Sequence, residues 1–296
     1  VKNRKRVPHN LQPKNFKVEI PTIFVVGPNG CGKSTFLEFL RKLAAELRSF
    51  IIADTSGIIQ HFRDKEPQSK IGQFFSTPDM IDQQRRGELL PSKPVLKAQI
   101  AYLNRQVKEL AGRQPQIAVI GGGVRNKMQA QRAFRKFALP HMIYIDCSEE
   151  QSLNGSLERP KDNRLEAASE EMITKRRKIA INHGVEARDY FKSKAKDRLL
   201  LLDRSDRMKD KLLEAVDFFP VPETLRIRWA ECIKSTNHPV GLAVDMLDQP
   251  EKYAEQKVAG AHAVHFDSPC YKEPSIARPS PIQPFAQLPG VQASPA

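Results

Sequence analysis

The chain has 296 residues, 40% hydrophobic and 28% charged. That is enough for one large core or two smaller ones, and typical of a soluble globular protein. No apolar stretch approaches a membrane span, no apolar run follows the basic residues 1–6, and Cys31, Cys147, Cys232 and Cys270 stand far apart without a CxxC pair, which argues against a membrane protein, a signal peptide and a structural zinc site and leads to the expectation of a reducing, cytoplasmic location. The net charge of +14 points to a polyanionic partner, nucleotide phosphates ahead of nucleic acid, while solvated helix faces account for about half of the basic residues in 159–178 and 188–211.

In chain order, residues 1–18 read as a basic, poorly structured lead-in that starts without Met. Thr22-Ile23-Phe24-Val25-Val26 is a short, unalternating apolar run, as a buried parallel strand should be. The loop Gly27-Pro28-Asn29-Gly30-Cys31-Gly32-Lys33-Ser34 follows, then Thr35 and a helical pattern over 32–48 through Phe36, Leu37, Leu40, Leu43, Ala44 and Leu47. Strand, glycine-rich loop and helix, with every fixed position of G-x-x-x-x-G-K-S filled, is the setting of a phosphate-binding loop. Its backbone N–H groups turn inward around a polyphosphate and the helix N-terminus adds positive potential. Lys33 is expected to reach the β- and γ-phosphates and Ser34 to offer its hydroxyl to Mg²⁺. Cys31 reads as loop filler rather than a reactive thiol.

Further strands are predicted at 50–54, 116–120, 141–146 and 198–203. Helices are predicted near 57–64, 92–111, 126–138, 149–158, 167–182, 184–193 and 206–218. The alternation predicts an α/β domain with a parallel sheet over 19–220. Residues 221–266 read as a partly helical extension, with one helix opened by Pro222 and carrying Leu225, Ile227, Trp229 and Ile233, and another from Pro250 to Val258. Residues 267–296, rich in Pro, Ser, Ala and Gln, read as a disordered tail.

Three more segments speak to a second substrate. Thr55-Ser56-Gly57 closes the second strand and opens a helix, and Gly87-Glu88-Leu89-Leu90-Pro91 lies downstream. Gly121-Gly122-Gly123-Val124-Arg125-Asn126-Lys127-Met128-Gln129-Ala130 follows the third strand. Tyr144-Ile145-Asp146 leads to a helix, a basic stretch with Arg159 and Arg164, and a helix holding Arg176.

Together with the phosphate loop, in this order and spacing, these segments resemble the adenylate kinase family of nucleoside monophosphate kinases over roughly residues 20–219. The resemblance implies a P-loop kinase-like three-layer fold: a central five-stranded parallel sheet, helices on both faces and a short lid near 159–170. It implies ATP and Mg²⁺, with residues 27–35, Arg159 and Arg164 on ATP and Ser34 on the metal. The acceptor monophosphate falls to Ser56, Gly57, Arg63, Leu89, Gly122, Arg125 and Gln129. Arg63 is preferred to His61 because a guanidinium binds phosphate bidentately. Gln129 suits adenine, hence AMP. Lys33, Arg125, Arg159 and Arg176 would stabilise the transferring phosphoryl group. A monomer acting on small nucleotides is expected.

The chain also departs from the family. Gly121 and Ile58 stand where Mg²⁺-side aspartates are expected, Val124 where a proline is, Gly155 where a lid arginine is, and Glu166-Ala167 where an aspartate pair is. Asp54 and Asp146 are the nearby carboxylates that might substitute. A nucleotide-binding regulatory protein that has lost the chemistry, and a P-loop kinase with another acceptor such as a nucleic-acid end, therefore stay open.

Overall fold

The computed structural model describes residues 17–47, 50–86, 88–110, 117–157 and 170–253, with the backbone alone at 45–47, 157, 170–173, 175 and 176. The lead-in to residue 16, Gly87, the lid segment 158–169 and everything past 253 lie outside the described residues. One compact unit runs through Lys252 and a second begins at Tyr253.

Five strands build the first unit: β1 (Thr22–Val26), β2 (Phe50–Asp54), β3 (Ile117–Gly121), β4 (Pro140–Asp146) and β5 (Leu199–Asp203). They form one all-parallel sheet in the order β2-β3-β1-β4-β5. The described helices are α1 (Lys33–Leu47), α2 (Thr55–Lys65), α3 (Lys70–Phe75), α4 (Pro78–Arg85), α5 (Ser92–Glu109), α6 (Lys127–Lys136), α7 (Glu149–Leu157), α8 (Glu170–Lys194), α9 (Met208–Phe218), α10 (Glu223–Lys234) and α11 (Pro239–Asp248). Short 3₁₀ turns stand at Lys196–Arg198 and Pro250–Tyr253.

Strand side chains alternate between two cores, as the pleat requires. Phe24, Val26, Ala118, Ile120, Met142 and Tyr144 meet side chains of α2, α5, α6 and α8. Ile23, Val25, Ile117, Val119, Ile143 and Ile145 meet those of α1, α9, α10 and α11. A strand buried on both faces has no polar side to show, so its sequence is a continuous apolar run. The result is a three-layer α/β fold around a five-stranded parallel sheet.

The crossover from β1 through α1 goes to β2. The crossover from β3 through α6 goes the other way, to β4. The loops leaving neighbouring β1 and β3 therefore diverge, and they open a crevice at the C-terminal edge of the sheet, where ligands of such folds bind.

Several helix expectations change. Residues 170–194 form one helix, not two, because Gly184 is accommodated in it with the Tyr144 ring beyond its missing Cβ. The short α3 and α4 were hidden in a polar stretch. Helix α11 was not anticipated, and the helix expected from Pro250 is a 3₁₀ turn within the described residues. The segment after 221 is part of the core. Trp229 is fully buried, its ring 4.4 Å from that of Phe50, and Ile233, Val240 and Val244 join it. Asp248 also accepts from the N–H groups of Met208 and Lys209 (2.7 and 2.8 Å), so α11 supplies the cap that Arg207 does not give α9.

Candidate functional site

The phosphate loop leaves β1 at Gly27 and enters α1 at Lys33. Gly30 and Gly32 have φ of 78° and 90°, a region that side-chain-bearing residues avoid. Lys33 Nζ bends back to donate to the carbonyls of Gly27 (2.7 Å) and Pro28 (2.5 Å) and lies 3.4 Å from Cys31 Sγ. Cys31 is 1% exposed, the packing of a loop filler. Ser34 and Thr35 are exposed on the first turn of α1.

Helix α7 braces this loop. The Ser152 hydroxyl, fully buried, donates to the Asn29 carbonyl (2.6 Å). A Cβ on Gly30 would strike the Ser152 carbonyl, and one on Gly155 would strike the Gly30 carbonyl. Small residues on one face of α7 thus let helix and loop touch backbone to backbone. The pattern Ser152-x-x-Gly155-Ser156 was the signal for this.

The turn after β3 lies beside the loop. Gly122 N–H donates to the carbonyl of Val25, two residues before Gly27 (2.8 Å). Arg125 is exposed, with its Nε donating to the Gly122 carbonyl (3.0 Å). Asn126 caps α6 by accepting from Gln129 N–H (2.8 Å), while Gln129 Oε1 accepts from Arg125 N–H (2.6 Å). This reciprocal pair is close to a capping box. Gln129 is 3% exposed, so its oxygen serves the turn that presents Arg125. Val124, in place of the expected proline, is buried in the core.

The β2 turn is tied to the same place. Asp54 Oδ1 caps α2 by accepting from Gly57 N–H (2.8 Å). The Thr55 hydroxyl donates to the Gly121 carbonyl (2.9 Å). Gln99, fully buried on α5, donates from Nε2 to Thr55 Oγ1 (3.1 Å) and to the Gly123 carbonyl (3.3 Å). Its Oε1 is buried without a hydrogen bond. Sequence reasoning missed Thr55 and Gln99; a glutamine in the apolar stripe Val95, Leu96, Ala98, Tyr102 and Leu103 was the available sign.

The remaining acceptor-side residues are spread out. Ser56 and Gly57 are half-buried in the first turn of α2, and Leu89 is half-buried in the irregular segment before α5. Arg63, two turns into α2, donates from Nε to the Phe75 carbonyl (2.8 Å) and so closes the C-terminal end of α3. Its Nη2 is buried without a hydrogen bond, and burial pulls the guanidinium pKa down despite nearby Asp64. His61 pairs with Glu66 (3.1 Å) and meets the Tyr102 ring edge-on. Ile58 is a core residue, 1% exposed, so no ligand belongs at that position. Arg159 and Arg164 lie outside the described residues, as does the side chain of Arg176. Its neighbour Arg177 is buried and bonds the Glu149 carbonyl (3.1 Å) and carboxylate, which joins α8 to the start of α7.

The metal question turns on Gly121 and Asp54, which are register partners at the ends of adjacent strands. A Cβ on Gly121 would meet the Leu37 methyl and, at 3.4 Å, the Asp54 Cβ. Asp54 therefore borders the place an aspartate at 121 would fill. Its Oδ2 is 4.0 Å from Arg41 Nη2. Asp146, at the end of β4, accepts from Cys147 N–H (3.0 Å). Among the described residues no group of three or more His, Cys, Asp or Glu could hold an ion alone. The set fits a Mg²⁺ bound chiefly by nucleotide phosphates and water, which needs only one or two protein oxygens; Ser34 at the start of α1 and Asp54 at the end of β2 are the candidates.

A glycine-rich loop carrying lysine and serine, at the C-terminal end of the central strand of an all-parallel α/β sheet, has the architecture of a phosphate-binding loop. No protein-family model matches the chain. It is 40% identical over 62 residues to the ferric enterobactin transport ATP-binding protein FepC of Escherichia coli K12, a match covering 20% of this chain and 22% of that protein. Among solved structures it is similar to a gluconokinase from Sinorhizobium meliloti 1021 (14% identity, TM-score 0.39, 71% of this chain and 94% of that one). It is also similar to an unliganded sugar kinase from Janibacter sp. HTCC2649 (12% identity, TM-score 0.44, 70% and 98%). At such identities and scores these likenesses say nothing about substrate. Among the described residues no helix is long and apolar enough to cross a membrane.

Proposed function

We propose that the protein is a nucleoside monophosphate kinase that transfers the γ-phosphoryl group of ATP to a monophosphate, AMP first among them, and releases two nucleoside diphosphates. The observation that carries this reading is the Gly122–Val25 hydrogen bond, which sets the Arg125 turn against the phosphate loop. Arg125 and the lysine-bearing loop then flank a single crevice. An acceptor phosphate oxygen attacks the γ-phosphorus as the bond to the β–γ bridging oxygen breaks, with no general base required. Lys33 leaves its two carbonyls for the β- and γ-phosphates. Arg125 faces both the acceptor phosphate and the moving phosphoryl. Arg159, Arg164 and Arg176 close on the triphosphate, which keeps water from competing. Ser56, Gly57, Leu89 and Gly122 border the acceptor. Ser34 and Asp54 would be the protein oxygens to hold a Mg²⁺, which would neutralise charge on the phosphates.

A second reading, a nucleotide-binding protein without turnover, draws on one observation. The two positions expected to carry Mg²⁺-side aspartates are a glycine and a core isoleucine. A coupled assay with ATP, Mg²⁺ and each nucleoside monophosphate separates the two. Diphosphate formation, strongest with AMP and abolished in Lys33→Ala, is the expected result. ATP binding without product from any acceptor, nucleic-acid ends included, selects the second reading. Activity surviving Lys33→Ala would remove the phosphate loop from the chemistry.

A further inference from the structure

Helix α5 buries one amide in its inner face. Gln99 is fully buried in the stripe of Val95, Leu96, Ala98, Tyr102 and Leu103, and its partners fix which way the amide faces. The one proton of the Thr55 hydroxyl goes to the Gly121 carbonyl (2.9 Å), so Thr55 Oγ1 has only lone pairs left to offer, and the Gly123 carbonyl can only accept. Both need a donor, and the amide nitrogen gives one N–H to each, at 3.1 and 3.3 Å. The amide oxygen is left buried without a hydrogen bond. A methionine of similar volume would fill the same space with no orphan acceptor. What the glutamine adds is its two N–H groups. Gly123 makes room for them, since a Cβ there would lie 2.9 Å from Gln99 Nε2.

The topology decides what those two bonds join. Thr55 opens α2 just before Ser56 and Gly57, and Gly123 stands two residues before Arg125. Asp54 and Gly121, the last residues of β2 and β3, are register partners, so the two turns leave the sheet side by side. Helix α5 holds the second turn again beyond Arg125, where Asn126 Nδ2 donates to Ser92 Oγ at the start of α5 (3.4 Å). Arg125 thus sits between two ties to one helix, and the same helix holds the turn of Ser56 and Gly57. Removing the amide cuts the tie between the turns while the Gly122 N–H bond to Val25, beside the phosphate loop, stays in place.

We infer that Gln99 is the positioning residue of the acceptor side: it fixes the Arg125 turn against the Ser56–Gly57 turn, so that the acceptor phosphate meets the γ-phosphoryl group in line. The inference rests on the kinase reading above. Gln99→Met tests it by steady-state kinetics with ATP and AMP and by calorimetric titration with ATP. Turnover at saturation should fall about 10- to 100-fold, with ATP affinity as in wild type. Unchanged turnover overturns the inference. So does a loss of turnover matched by weaker ATP binding, which would make Gln99 a brace of the whole crevice. Adding Thr55→Val to Gln99→Met should lower turnover little further, because both cut one linkage; independent effects overturn the inference. If methionine unfolds the protein, Gln99→Glu carries the test. Burial raises a carboxyl pKa, and only the neutral acid can donate. Turnover of that variant relative to wild type should climb severalfold from about pH 8 to about pH 6; a flat ratio overturns the inference. Wild-type protein that binds ATP and phosphorylates no monophosphate is a different failure: the kinase reading goes first and the inference falls with it.

Discussion

Lys33 and Asp54 each hold local structure, and the function proposed above gives each a chemical role besides. Lys33 holds its loop closed on two of its own carbonyls; under the proposed function a polyphosphate takes their place. Asp54 caps α2 and borders the empty side of Gly121. Its two roles can be separated. Asparagine caps a helix about as well as aspartate, so Asp54→Asn should keep the unfolding midpoint while raising the Mg²⁺ concentration needed for half-maximal turnover several-fold. An unchanged Mg²⁺ requirement would leave Asp54 with the cap alone. Gln129 and Arg63 are the converse case. Both were read from the sequence as substrate contacts, and in the fold their polar atoms bond the Arg125 N–H and the Phe75 carbonyl. A side chain's type and spacing suggest what it can bind, but which partner it finds depends on what the chain folds beside it.

At the scale of elements, α10 and α11 change the picture most. They cover the face of the sheet that α1 and α9 leave open at Phe50 and Ile52. Trp229 is the largest fully buried side chain. It touches the rings of Phe50 and Phe219. Its loss leaves a cavity that the surrounding sheet cannot collapse into, so Trp229→Ala should cost about 3–5 kcal/mol in urea unfolding. A cost near zero would mean that this helix merely rests on the surface. The strands were legible in the sequence to within a residue or so at each end, because a strand buried on both faces must be apolar throughout. Helix α11 was missed although His238 and Pro239 give it a local start signal; what a sequence window does not show is its packing against α1, α9 and α10. The polar run holding α3 and α4 failed for a related reason: helices of six and eight residues show too few turns for a period to be read.

Across the whole molecule, stability depends on groups remote from the crevice. His141 opens β4, 8% exposed and edge-on to Phe218. Burial pulls its pKa below the ordinary 6.5, with Arg198 adding to the pull and the Leu139 carbonyl opposing it. Above that value both folded and unfolded chains carry a neutral imidazole and nothing changes. As pH falls below it the unfolded chain takes the proton first, so stability declines toward acid. Urea midpoints at about pH 7.5 and 5.5 should therefore drop further for wild type than for His141→Gln; equal drops would sink the idea. The sequence by itself determined the phosphate loop, because its eight residues and flanking strand and helix are contiguous and act through local backbone geometry. It also determined the parallel sheet, because double-sided burial leaves its mark in the central strands β1, β3 and β4. Only the tertiary structure decided which loops share the crevice: the strand order brings the Arg125 turn to one side of Gly27, and Gln99 on α5 ties that turn to Thr55. It alone decided that Gly123 makes room for an amide, since an absent side chain has meaning only when something else fills its space.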